Sequence, residues 1–119
     1  MTISYSASTI LGGVRHIEVA GDLTCASINC EGDQLAFFVT ASGGTVILDC
    51  GQVHAMSGDG LRFVVRCAED LQTSGGELIF IAPQWGNHDA VLLVAEFLGI
   101  FPIFHSLDDC LSVCAQVMS

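Results

Sequence analysis

Between Val46 and Leu61 the chain changes its hydrophobic period, and no other feature constrains the fold as tightly. Val46-Ile47-Leu48 is a continuous apolar run that ends in Asp49. A run without alternation implies a short strand buried on both faces. A short loop is expected to follow it. Ser57-Gly58-Asp59-Gly60 then opens a helix over 58–73, where Leu61, Val64, Val65, Ala68 and Leu71 form one apolar stripe. Backbone N–H groups at a helix start lack partners, and the dipole there favours negative charge, which suits Ser57 and Asp59. A buried strand feeding an amphipathic helix is the unit from which parallel sheets are built.

The rest of the sequence repeats that unit. Residues 3–6 and 14–19 alternate and read as two hairpinned strands around Gly12-Gly13. Gly21-Asp22-Leu23-Thr24 reads as punctuation. Leu35, Phe38 and Val39 sit at helical spacing within 25–41, an imperfect helix weakened by Asn29 and Gly32 and ended by Gly43-Gly44. After Gly75-Gly76 come a strand over 77–82, a helix from Asn87 to Leu98, a short strand over 102–105 and a final helix opened by Ser106. The order is β-β-α-β-α-β-α-β-α. It predicts an α/β fold with a mixed, mostly parallel sheet, an antiparallel N-terminal edge and about four helices covering mainly one face. Residues 1–119 are expected to form a single domain.

Charge narrows the partners. The net charge is −10, and the only cations are Arg15, Arg62 and Arg66. Phosphate backbones and anionic bilayers repel such a surface, which excludes nucleic acid as the expected partner. No apolar run reaches the length of a membrane span, and the N-terminus lacks the pattern of a secretory signal, so a cytoplasmic location is expected. In that compartment Cys25, Cys30, Cys50, Cys67, Cys110 and Cys114 are expected to be free thiols packed as small hydrophobes. Cys110 and Cys114 lie one helical turn apart, but no CxxC or paired histidine joins them, so no metal site is expected.

The segment from Asp49 to Leu61 resembles the signature of STAS domains, the family of the bacterial anti-sigma factor antagonists. The matching residues are Asp49, Val53, Met56, Gly60 and Leu61. Gly21-Asp22-Leu23-Thr24 is similar to the family's G-E-L-D turn, and Ser106 to Leu111 to its C-terminal S-x-E-E-A-L segment. The resemblance implies a STAS-like fold over nearly the whole chain. It also implies a non-catalytic protein-interaction module in partner-switching regulation, whose partner is an ATP-binding switch kinase that doubles as an anti-sigma factor. A second implied role is a cytoplasmic accessory subunit of a lipid-type ABC transporter. Neither requires a cofactor.

In the antagonists the switch kinase phosphorylates a serine at the start of the second helix. Here that position is Gly58, which has no hydroxyl, and Ser57-Gly58-Asp59 replaces the usual D-S-S. Three readings stay open. Ser57 is an acceptor displaced by one residue, Asp59 supplies a fixed negative charge, or Ser57 is an N-cap and Asp59 favours the dipole with no switch. The expected signature loop is Asp49, Met56, Ser57, Gly58, Asp59 and Gly60. Candidate partner-binding residues are Asp22, Thr24, His54, Arg62 and Arg66. The two arginines stand one turn apart on the outer face of the main helix. Either they dock an acidic partner, or they pair with Asp59, Glu69 and Asp70 on a solvated face. Asp49 is expected to accept loop N–H bonds rather than act as a base. No nucleophile spacing or paired acid and base marks an enzyme.

Overall fold

Strand and helix alternate as the sequence implies, and they build one five-stranded sheet. The structure is a computed structural model. It describes residues 3–10, 13–41, 43–84 and 99–118, the last five through their backbone only. The elements are β1 (Ile3–Thr9), β2 (Arg15–Leu23), α1 (Cys25–Thr40), β3 (Thr45–Met56), α2 (Gly58–Thr73), β4 (Glu77–Ile81), β5 (Ile103–Phe104) and α3 (Leu107–Met118). Strand order follows the chain, with β3 at the centre. β1 runs antiparallel to β2, and every later pair is parallel. Three helices stand among the described residues where about four were expected. The helix expected from Asn87 to Leu98 lies outside the described residues.

Two cores flank the sheet. On one face, α1 and α2 bury Leu35, Val39, Leu61, Val64, Ala68 and Leu71 against Ile17, Val19, Leu48 and Phe80. On the other, α3 brings Cys110 and Leu107 onto Ile47, Ile79 and Ile81. Strands whose residues enter both cores must be apolar throughout, which is why Val46, Ile47 and Leu48 are all fully buried.

The apolar stripe of α2 holds, with a wider reach than the sequence indicated. Val65 is only partly buried, while Phe63 and Cys67 are buried and belong to the same core. They face α1. Gly32 lies on that side of α1, where an added Cβ would come to 2.9 Å from Ile28 Cγ2 but only into ordinary contact, 3.6 Å, with the Phe63 ring.

Both early strands overrun their expected ends. β2 continues through Gly21-Asp22-Leu23, and β3 continues to Met56, so the expected loop after Asp49 is strand. The cause is a pair of register shifts between β2 and β3, one between Glu18 and Ala20 and one between Gly21 and Asp22. Each gives β3 an extra residue. Burial on β3 therefore falls on Cys50, Val53 and Met56, a spacing of three rather than two. Bulges of this kind destroy the alternation by which a strand is read.

Candidate functional site

Parallel strands all end at one edge of a sheet, and the chain's signature residues gather there. Leu23, the last residue of β2, pairs with Met56, the last of β3. The next residues, Thr24 and Ser57, are the N-caps of α1 and α2. The two turns are tied together, since Ser57 N–H donates to the Leu23 carbonyl at 3.0 Å. Gly60 is obligatory at this junction. A Cβ on it would lie 2.2 Å from the Leu23 carbonyl oxygen, a rigid backbone atom.

Ser57 adopts extended backbone, and its Oγ accepts the Gly60 N–H at 3.3 Å. Its own hydroxyl proton points toward the Leu23 carbonyl, 3.5 Å away. The side chain is thus half-buried and engaged as a cap. Gly58 and Asp59 are exposed, and a Cβ on Gly58 would meet nothing within 4 Å. Across the junction, Ser27 Oγ accepts the Thr24 N–H at 3.1 Å and donates to the Asp22 carbonyl at 2.6 Å. Asp22 and Thr24 are half-buried at the same junction as Ser57.

The three arginines divide two and one. Arg15 caps the end of α1, donating to the Phe38 carbonyl at 3.0 Å and the Val39 carbonyl at 3.4 Å, with its guanidinium over the Phe38 ring. Such an arginine offsets the negative end of the helix dipole. Arg62 and Arg66 stay exposed on α2. Arg62 lies 3.9 Å from Asp59, with its side chain 83% exposed. Of the pairs that the solvated-face alternative offers, the one between Arg62 and Asp59 is within reach, and those of Arg66 with Glu69 and Asp70 do not form. Among the described residues no carboxylate lies within ion-pairing distance of Arg66. Both arginines border a shallow groove between the helices, with Cys25, Ile28, Asn29 and Phe63.

His54 and Asp49 depart from their expected setting because the loop is strand. His54 is exposed on β3. Asp49 accepts the Gly51 N–H at 2.9 Å, as expected, but its second oxygen lies 2.8 Å from His16 Nε2. Glu18 Oε1 lies 4.0 Å from the other ring nitrogen of His16. These three residues are the group of donors among the described residues close enough to share a metal ion. His16 and Asp49 stand 33 positions apart, so no spacing rule could find them. Only the strand register could, since it sets Glu18 against Asp49.

Cys25, Cys30, Cys50 and Cys67 are free thiols. Cys50, Cys67 and Cys110 are buried, but Cys25 and Cys30 are exposed, so the packing expectation fails for those two. They lie on the outer side of α1, away from its buried stripe. The Cys114 side chain lies outside the described residues. Burial pushes the Cys50 thiol far above its usual range, with Asp49 and Cys67 adding to the effect. Burial likewise pushes the Cys67 thiol up to about 12, helped by Asp70 and opposed by Arg66. No helix is long and apolar enough among the described residues to cross a membrane.

The family model described as the STAS domain matches residues 5–110. A search of curated proteins finds no match. Solved structures of low identity share the fold. An anti-sigma factor antagonist from Mycobacterium paratuberculosis has 19% identity and a TM-score of 0.70, over 93% of this chain and 92% of that one. The unphosphorylated form of the anti-sigma factor antagonist SpoIIAA has 12% identity and a TM-score of 0.61, over 98% and 99%. The murine anion transporter Slc26a9 in its inward-facing state has 14% identity and a TM-score of 0.71. That match covers 98% of this chain and 22% of the transporter.

Proposed function

The chain belongs to the STAS domain family, and on that premise we propose that it is a non-catalytic protein-interaction module of bacterial partner switching. In this reading it acts in the cytoplasm much as an anti-sigma factor antagonist does, on an ATP-binding switch kinase that also serves as an anti-sigma factor. The carrying observation is the pair Arg62 and Arg66. They stay exposed beside the signature turn, and Arg66 has no carboxylate within ion-pairing distance among the described residues. An acidic partner surface supplies the carboxylate that Arg66 lacks among the described residues. Asp22, Thr24, His54 and the Ser57–Gly60 turn complete the docking surface.

The altered turn changes the switch. Gly58 cannot accept phosphate, and Ser57 can do so only by giving up its hydroxyl donation toward the Leu23 carbonyl. A phosphate there would add about −1.5 to −2 charges in the midst of the docking face and expel the partner. The absent hydroxyl at Gly58 also favours a second reading, in which the module is a constitutive accessory subunit of a lipid-type ABC transporter. Affinity capture of the tagged chain from its own host separates the two. Recovery of an ATP-binding switch kinase, with any phosphate mapping to Ser57, supports the first. Recovery of a transporter ATPase and no kinase supports the second. Phosphate on Thr24 or Ser106 overturns the displaced-acceptor assignment.

A further inference from the structure

We propose that His16, Glu18 and Asp49 form a divalent transition-metal site on the sheet face opposite α1 and α2. Ile17 between them enters the core under those helices, so its neighbours His16 and Glu18 point the other way. Asp49 shares that side with Ile47, two residues earlier on β3.

The chemistry follows from one ring and its single proton. A neutral imidazole carries a proton on one nitrogen and a lone pair on the other. In the neutral tautomer that can take a metal, Nε2 donates to Asp49 Oδ2 across the 2.8 Å contact. The other Asp49 oxygen is held by the Gly51 N–H at 2.9 Å, so the carboxylate is a fixed orienting group. Nδ1 then carries the lone pair, with Glu18 Oε1 4.0 Å away. Two acceptors cannot bond each other. The gap is wider than the ~3.3 Å that separates two ligands at a tetrahedral angle on bonds of 2.0–2.1 Å, a difference that a turn of the Glu18 side chain closes. A carboxylate behind a histidine, with the metal on the ring's other nitrogen, is how proteins fix ligand orientation and raise its basicity.

The surroundings suit an ion arriving from water. His16 is 4% exposed, while the Glu18 side chain is 59% exposed and free to rotate toward a tetrahedral angle. The cross-strand neighbours of Glu18 and His16 on β1 are Ser6 and Ser8, both small and exposed. No arginine is within ion-pairing distance of Glu18 among the described residues. An imidazole and a carboxylate with water completing the shell favour zinc, nickel or copper over magnesium or calcium.

Zinc titration of the full chain, followed by calorimetry and by histidine side-chain NMR, tests the site. Cys25→Ser and Cys30→Ser are introduced first, because exposed thiols compete for zinc. One zinc per chain is expected, with the His16 ring resonances shifting to saturation. Glu18→Gln should weaken binding at least tenfold without moving the metal-free thermal midpoint. Asp49→Asn should weaken it about 10–100-fold. Because His16→Gln empties a buried position and could unfold the chain, the exposed Glu18 variant decides. Absence of binding, unmoved His16 resonances at saturation, or equal affinity in Glu18→Gln overturns the proposal.

Discussion

Two glycines two residues apart answer to opposite physics. Gly58 opens α2 in open space, whereas Gly60 presses on the Leu23 carbonyl. Gly58→Ala should stabilise the fold by about 0.4–1 kcal/mol, because it removes freedom from the unfolded chain without a clash. Gly60→Ala should destabilise by about 1–3 kcal/mol or more, since backbone must move. Paired thermal melts check both, and equal midpoints would mean that the β2–α2 junction is looser than described. The cysteines provide a second contrast. Thiol labelling of the native chain should mark Cys25 and Cys30 quickly and spare Cys50 and Cys67 until unfolding. Raised thiol values also set a pH direction. Well below the ordinary value of 9.0 both folded and unfolded chains hold these protons. Above it the unfolded chain releases them first, so stability should fall as pH rises through the alkaline range. Urea melts at rising pH check the sign, and a flat profile would contradict the burial of both thiols.

At the scale of elements, α2 joins sequence, core and surface. Its stripe lies on the sheet, Phe63 and Cys67 turn toward α1, and Arg62 and Arg66 face out. Leu61 is 7% exposed at the first turn. Leu61→Ala should therefore cost about 2–5 kcal/mol in a denaturant melt; an unchanged midpoint would take Leu61 out of the core. The helix was legible because its stripe repeats cleanly between a cap and a Gly-Gly stop. β3 was legible only to Asp49. Beyond that residue two bulges set burial at every third position, and a strand with that spacing looks like loop. The same bulges hid the setting of His54, and register alone brought His16 to Asp49. Side-chain roles at the signature turn were half legible. Ser57 as a cap follows from its place before a helix, whereas the contact of its neighbour Gly60 with Leu23 depends on how the β2 and β3 ends align.

Across the whole molecule, charge is the organising property. The net charge is −10, yet one of three cations is spent on the end of α1 and the other two stand together beside the signature turn. The ion pairs expected for Arg66 were inferred from helical spacing alone. Spacing permits such pairs, but solvation and side-chain entropy oppose them, and surface pairs contribute little. The fold itself needs neither arginine. Reversing both charges, Arg62→Glu with Arg66→Glu, should cost about 1 kcal/mol of stability or less.

Affinity of that double variant for the captured partner is the most direct test of the docking account. Binding is measured beside the wild type at low and at moderate salt. The account predicts an intact fold, affinity weakened at least tenfold, or about 1.4 kcal/mol, and a shallower dependence on salt as steering is lost. Unchanged affinity with unchanged salt dependence would contradict it, and would make this helix face ordinary solvated surface.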